Sequence, residues 1–83
     1  MLGVKVYGAD WCEDTRHTRA FLDRLGVAYE YVNIEQDERA AEWVRGHNGG
    51  KERKPTVDVG GQVLSVPSDH DLTGALRERG LMA

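Results

Sequence analysis

The sequence predicts an α/β fold, a four-stranded mixed sheet with helices on both faces. Apolar residues alternate between strand and helix spacing along the 83-residue chain, in the order β-α-β-α-β-β-α. Glycines stand at the expected helix ends, and a Gly60-Gly61 pair separates the last two strands. The apolar share of 40% suits a folded domain, and we expect residues 1-83 to form a single domain.

The first three elements form a β-α-β unit. Val4 to Tyr7 alternates apolar and polar side chains and predicts the first strand. A helical pattern runs from Glu13 to Leu25 and ends at Gly26. Val27 to Ile34 is rich in β-branched and aromatic residues and predicts the second strand. A right-handed crossover makes these two strands parallel, and we expect the first strand inside the sheet.

The next elements are a capped helix and a hairpin. Asp37 can cap a second helix from Glu38 to His47, which Asn48-Gly49-Gly50 terminates. Thr56 to Val59 and Gln62 to Val66 then predict antiparallel strands on either side of the glycine pair.

The last predicted element is a helix that Pro67 and Ser68 open and Gly80 ends. Ser68 and Asp71 resemble a capping box, with aspartate in place of the usual glutamate.

Charge and composition exclude several classes of partner. The net charge is -3 and basic residues form no long stripe, so we expect no nucleic-acid partner. The basic stretch from Lys51 to Lys54 reads as a solvated loop. No apolar run approaches the roughly 20 residues of a membrane span. The chain reaches Lys5 too early for a signal peptide and has one cysteine, so we expect a cytoplasmic protein.

Two landmarks indicate where the chemistry lies. Trp11-Cys12 follows the first strand and enters the first helix, and Lys54-Pro55-Thr56 precedes the third strand. Together they resemble the glutaredoxin branch of the thioredoxin superfamily, in which the landmarks are W/P-C-x-x-C and T-V-P with a cis proline. The resemblance covers nearly the whole chain and implies the thioredoxin/glutaredoxin fold. An ordinary trans proline opening an edge strand is the alternative at Pro55.

Within that branch the pattern is most similar to the mycoredoxin type of actinobacteria, which acts on mixed disulfides with mycothiol. Two positions depart from the family pattern. Thr15 stands where the second cysteine is usual, and Lys54 stands where valine is common. Cys12 is therefore expected to work as a monothiol. The alternative is that threonine replaced cysteine because activity was lost.

Cys12 is the candidate nucleophile. The thiolate is the attacking form in disulfide exchange, and a free cysteine is mostly protonated at neutral pH. The helix start offers the backbone N–H groups of Asp14 and Thr15 and the Thr15 hydroxyl as donors that stabilise a thiolate. The carboxylates of Glu13 and Asp14 disfavour a negatively charged thiolate on Cys12. Their role is either to stabilise the N-terminus of the helix or to select a partner of complementary charge. A buried structural cysteine is the alternative for Cys12.

The resemblance also implies a substrate groove around the sulfur. Trp11 is expected to wall it, with partial core packing as the alternative. Ser68 and Asp69 stand where glutathione users carry G-G-S/C-D-D, but the glycines are missing. Mycothiol and bacillithiol are therefore at least as plausible as glutathione. The expected substrate-binding residues are Trp11, Lys54, Pro55, Thr56, Ser68 and Asp69.

Three function classes remain open. The first is a monothiol oxidoreductase that reduces mixed disulfides between client proteins and a low-molecular-weight thiol. The second is an iron–sulfur carrier, disfavoured because the small Gly-Phe pair of C-G-F-S is replaced by Glu13-Asp14. The third is a non-catalytic binding module. We expect no bound cofactor, the small thiol as cosubstrate, and a monomer. The three histidines have no ligand spacing, so we expect no metal site.

Overall fold

The computed structural model describes residues 3–83 and contains the predicted elements in the predicted order; Met1 and Leu2, used in the signal-peptide argument, lie outside this range. The elements are β1 (Val4–Gly8), α1 (Glu13–Leu25), β2 (Glu30–Asn33), α2 (Glu38–His47), β3 (Thr56–Val59), β4 (Gln62–Ser65) and α3 (Asp69–Glu78). None of the helices in the described range is long and apolar enough to cross a membrane.

The sheet is mixed and has the strand order β2-β1-β3-β4. β1 pairs in parallel with β2 and antiparallel with β3, so the first strand lies inside the sheet as predicted. β3 and β4 form an antiparallel hairpin, with Val59 opposite Gln62. Gly60 and Gly61 form the tight turn between β3 and β4, and both have the positive φ that such a turn requires.

Helices cover both faces of the sheet, as predicted. Val4 and Val6 of β1 point to the face that α1 and α3 cover, where they pack with Leu22 and Leu76. Tyr7 points to the opposite face, where the smaller cluster of α2 lies. This alternation along β1 follows from the pleat of a strand, and it places both helical layers around the central strand.

The helix ends follow the predicted signals. Asp37 caps α2, accepting a hydrogen bond from the Ala40 N–H, and Ser68 caps α3 through the Asp71 N–H. Gly26 ends α1 in the left-handed conformation, with φ of 71°. α1 begins differently, because its N-cap residue is Cys12 and the sulfur makes no capping hydrogen bond.

Four predicted strand ends differ from the structure. β1 extends one residue further, to Gly8, and β2 ends one residue earlier, at Asn33. β2 begins at Glu30 rather than Val27, because the Val27 N–H still bonds to the Leu22 carbonyl and completes the end of α1. β4 ends at Ser65 rather than Val66. Val66 turns into the left-handed region with φ of 44°, and its N–H donates to the Pro55 carbonyl. This conformation is costly for a β-branched residue.

Candidate active site

Cys12 lies at the junction between the β1–α1 loop and α1. Its backbone has φ of -78° and ψ of 121°, the extended conformation of an N-cap residue. The side chain is half-buried, and Sγ donates a long hydrogen bond to the Lys54 carbonyl at 3.7 Å. The sulfur makes no bond to the first N–H groups of α1. A thiolate at this position has those donors within one helical turn.

Thr15 has a different role from the predicted one. Its side chain is completely buried, and its hydroxyl oxygen accepts from the Ala9 N–H at 3.4 Å. It packs so closely on Gly8 that a Cβ there would collide with it. The hydroxyl therefore bonds to the loop behind Cys12 and not to the sulfur. Stabilisation of the thiolate by the backbone of Asp14 and Thr15 stays a prediction.

The loop before β3 faces the sulfur. The Lys54–Pro55 peptide bond is cis, as the resemblance implied. Pro55 and Thr56 are buried, and the Thr56 hydroxyl donates to the Arg53 carbonyl at 2.8 Å. The Thr56 side chain therefore supports the loop from within and is closed to a substrate. Of Lys54, Pro55 and Thr56, only Lys54 is partly exposed.

A side-chain amide holds this loop in place. Asn48 Nδ2 donates to the Val44 carbonyl and to the Thr56 hydroxyl, and Asn48 Oδ1 accepts from the Ser65 hydroxyl. The residue was predicted only as part of a helix stop. It links the end of α2 to β3 and β4, and so fixes the strand that follows Pro55.

Trp11 stands on the surface beside Cys12. The indole is 62% exposed, so the core-packing alternative does not hold. Its Nε1–H donates to Glu35 at 2.7 Å, and the Lys54 ammonium lies 5.6 Å from the ring centre. Glu52 lies 3.9 Å from that ammonium. Trp11 and Lys54 thus form a pre-arranged pair above the sulfur.

The start of α3 is already occupied by its own side chains. Ser68 Oγ accepts from the Asp71 N–H at 3.1 Å. The Asp69 carboxylate lies 2.9 and 3.1 Å from Nε2 of His17, on the flank of α1 that faces α3. His17, one of the three histidines without ligand spacing, joins the two helices through this contact. Ser68 and Asp69 come near the site, but neither is free of a protein partner.

A tyrosine holds the segment before Trp11. The Tyr31 hydroxyl donates to Asp10 at 2.7 Å, and the Arg19 guanidinium lies 3.8 Å from the ring centre. Burial, followed by the bond to Asp10, raises the pKa of Tyr31 to about 12. Neither contact has a sequence signal, since the partners belong to different elements. They connect β2 and α1 to the loop that carries Cys12.

No group of three His, Cys, Asp or Glu side chains within residues 3–83 is arranged to hold a metal ion. The site instead consists of one sulfur at a helix start, an exposed indole, and a cis-proline loop whose carbonyl contacts the sulfur. Such an arrangement can position an incoming disulfide for attack by Cys12.

The β-α-β-α-β-β-α order and the four-stranded mixed sheet define an α/β thioredoxin-like fold. A glutaredoxin of Archaeoglobus fulgidus superposes with a TM-score of 0.80 at 27% identity, over 93% of this chain and 88% of that one. The structure of a buckwheat glutaredoxin–glutathione complex shares the fold, with a TM-score of 0.73 at 22% identity over 98% and 82% of the two chains.

Sequence comparison gives the family. The glutaredoxin family model matches residues 4–64, and the chain belongs to the glutaredoxin family. Mycoredoxin 1 of Corynebacterium glutamicum is 40% identical over 57 residues, which are 69% of this chain and 70% of that protein. A Mycobacterium tuberculosis protein described as a glutaredoxin is 33% identical over 74 residues, 88% of each chain. The chain is therefore a glutaredoxin-like redox protein, similar to mycoredoxin.

Proposed function

We propose that this protein is a monothiol thiol-disulfide oxidoreductase that reduces mixed disulfides between client proteins and a low-molecular-weight thiol. One observation carries the proposal: Cys12 is the chain's only cysteine, and it lies at an uncapped helix start. Thr15 occupies the position of a second cysteine and is buried. An intramolecular disulfide is therefore impossible, and the second sulfur must come from solution.

The reaction has two exchanges. The Cys12 thiolate attacks the small-thiol sulfur of the mixed disulfide, so that a new S–S bond forms and the client thiolate leaves and takes up a proton. A second small-thiol molecule, as its thiolate, then attacks this bond and releases Cys12. The client leaves as a free thiol, and the small-thiol unit of the mixed disulfide and the second small thiol end together as one symmetrical disulfide. The number of disulfide bonds is unchanged, so the two reducing electrons enter at the next step. A separate reductase for that disulfide restores the small thiol.

The arrangement of the site supports particular roles. The Lys54 carbonyl, already in contact with Sγ, lies beside the attacked bond. The exposed indole of Trp11 offers a flat wall above it. Asp14 and Thr15 contribute backbone N–H groups to the thiolate in this proposal. Cys12 is the catalytic residue, and Trp11 and Lys54 are proposed to contact the substrate, while the buried Pro55 shapes the loop that presents the Lys54 backbone.

Mycothiol is favoured over glutathione as the small thiol. The first turn of α3 carries the carboxylates of Asp69 and Asp71, and Ser68 already caps it. Negative side chains oppose a further carboxylate at a helix N-terminus. The similarity to mycoredoxin 1 points in the same direction. Bacillithiol is the other candidate.

We propose that the protein acts as a cytoplasmic monomer with no bound cofactor. The cycle needs a single sulfur from the protein, so a second copy adds nothing to it. A reducing compartment keeps Cys12 and the small-thiol pool in the thiol form.

The test is a coupled turnover assay. Purified protein is offered a mixed-disulfide substrate with mycothiol, bacillithiol or glutathione and the matching reductase. We expect turnover with mycothiol, and loss of that turnover in Cys12→Ser because serine cannot form the mixed disulfide. Glu42→Ala, an exposed change on α2, should keep full activity and serves as the control.

Failure of all three thiols to support turnover would favour the non-catalytic binding module. Equal activity of Cys12→Ser and the wild type would exclude Cys12 as the nucleophile.

A further inference from the structure

One flank of α1 carries a group of side chains that the proposed reaction does not use. We call it the basic flank; its residues are Arg16, Arg19, Ala20 and Asp23, and with Tyr29 they line a shallow cavity of about 210 Å³. The Arg16 N–H bonds to the Cys12 carbonyl, so Arg16 lies one helical turn beyond the cysteine on the same side. The end of the cavity at Arg16 therefore lies one helical turn from Cys12.

Arg19 is held rigidly in this cavity. Its guanidinium stacks over the Tyr31 ring at 3.8 Å, and its Nε–H donates to the Tyr29 hydroxyl at 3.3 Å. These contacts use the ring face and one donor, and they leave the two terminal nitrogens for a ligand. A guanidinium fixed in this way loses little conformational entropy when it binds a carboxylate.

Neither arginine of the basic flank has an acidic partner. Within residues 3–83, no carboxylate oxygen lies within 4.0 Å of the Arg16 or Arg19 guanidinium. Arg45 provides the contrast, because it pairs with both Glu38 and Glu52. Both guanidiniums are thus available for a ligand, although acidic side chains lie nearby: Asp23 in the same cavity, Asp10 near Arg19, and Glu13 and Asp14 near Arg16.

The basic flank lies away from the small-thiol side of the sulfur. Arg19 contacts Tyr29 and Tyr31, and so faces β2. Lys54, a proposed small-thiol contact, directly precedes Pro55 and β3. Since β1 stands between β2 and β3, the two sites lie on opposite sides of Cys12. The client half of a mixed disulfide extends toward the side that the small thiol leaves free.

We propose that the basic flank binds a carboxylate of the client polypeptide, close in sequence to the cysteine whose mixed disulfide is reduced. This inference rests on the proposed function and adds a preference for acidic clients. Arg16 and Arg19 receive the carboxylate at the end of the cavity near Cys12. Asp23 lies about three turns along α1 from Cys12 and limits how far an acidic segment can extend.

The first experiment compares two substrates. One is a cysteine peptide with two glutamates beside its mixed disulfide, and the other has glutamines there. We expect kcat/KM to be about fivefold higher for the glutamate peptide at low ionic strength, with the difference shrinking as salt is added. Equal values for the two peptides would overturn the inference while leaving the proposed function intact.

Substitutions that reverse the charge of a single arginine show which residue causes the preference for the glutamate peptide. Arg16→Glu should remove or invert the preference for the glutamate peptide, because Arg16 is exposed and contributes charge alone. Arg24→Glu, on the same helix, changes the net charge equally outside the cavity and should retain the preference. Asp23→Asn should increase it. A similar loss in both reversals would assign the preference to net charge and overturn the proposed site.

A binding measurement separates this inference from catalysis. Serine versions of the two peptides are titrated into the wild-type protein while the Nε–H signals of Arg16 and Arg19 are followed by NMR. We expect both signals to shift with the glutamate peptide and not with the glutamine peptide. Shifts with inorganic phosphate but not with the glutamate peptide would make this a small-anion site and overturn client binding.

Discussion

The three helix starts of this protein are built in two ways. α2 and α3 begin with Asp37 and Ser68, and each side chain accepts a hydrogen bond from an N–H of its first turn at 3.1 Å. α1 begins with Cys12, whose sulfur caps nothing. The unpaired donors at a helix start cost stability when unsatisfied, yet they are what a thiolate requires. Among the helices within residues 3–83, only α1 leaves its first turn without a side-chain acceptor, which is the helix start that the proposed reaction uses.

α1 is held in place by contacts outside its first turn. Thr15 packs on Gly8 and accepts from the Ala9 N–H, so that one buried side chain attaches the helix to the end of β1. Asp10 is fixed in turn by Tyr31. The attachment of α1 therefore depends on Thr15 and Asp10, whereas the proposed reaction depends on Cys12. Mutations can thus change the stability of the fold and the activity separately.

The largest loss of stability is expected for Gly8→Ala. The added Cβ would collide with Thr15, whose burial leaves it no room to move. Overpacking of this kind costs about 1–3 kcal/mol, and denaturant unfolding would measure it. Gly46→Ala in α2 is the control, since a Cβ at Gly46 meets no atom within 4 Å. Equal stability of Gly8→Ala and the wild type would contradict the attachment of α1 through Thr15.

Asp37→Ala should destabilise the protein by about 1 kcal/mol, the usual cost of losing an N-cap side chain. The change removes the acceptor for the Ala40 N–H. Turnover with mycothiol should remain, because α2 lies on the face of the sheet opposite α1. Glu42→Ala, the exposed control on the same helix, should leave unfolding within about 0.5 kcal/mol of the wild type.

Cys12→Ser should have the opposite effect on stability and gain about 0.5 kcal/mol, because serine is a favoured N-cap residue and Cys12 already has N-cap geometry. Activity would be lost in the same variant. Cys12→Ala lacks the hydroxyl and should show no gain. A serine variant less stable than the alanine variant would mean that the first turn of α1 is satisfied in another way.

The last expected effect concerns Tyr31 and appears only at high pH. Its pKa is raised to about 12, against 10.0 for an ordinary tyrosine, so the fold favours the protonated hydroxyl. The stabilisation is complete below about pH 10 and is lost as pH rises toward 12, because the unfolded chain ionises first. The free energy of unfolding of the wild type and of Tyr31→Phe, measured at about pH 9 and pH 11, would show this loss, which should be larger in the wild type. An equal loss in both proteins would rule out Tyr31 as its cause.

Local patterns predicted most of the fold. The order of elements, the caps Asp37 and Ser68, the Gly60-Gly61 turn and the interior place of β1 each depend on residues close in sequence. The differences at the start of β2 and the end of β4 have local causes as well, since Val27 completes the end of α1 and Val66 leaves β4 to bond with Pro55.

The site was less accessible to sequence reasoning than the fold. Cys12 and the cis Lys54–Pro55 bond came from short motifs. The contacts of Trp11 with Glu35 and of Tyr31 with Asp10 join residues far apart in the chain, and they depend on which strands are neighbours. The same holds for His17 and Asp69. No spacing in the sequence indicates such pairs.

The two tryptophans of the chain have different surroundings. Trp43 is stacked between Tyr7 and His47, with ring centres 4.5 and 4.1 Å away, and lies on the face opposite α1. Trp11 stands exposed next to the only cysteine. The fluorescence of Trp11 should therefore change when Cys12 carries a small thiol, while Trp43 supplies a steady background. A measured change of this kind would give the proposed reaction an optical signal that needs no added label.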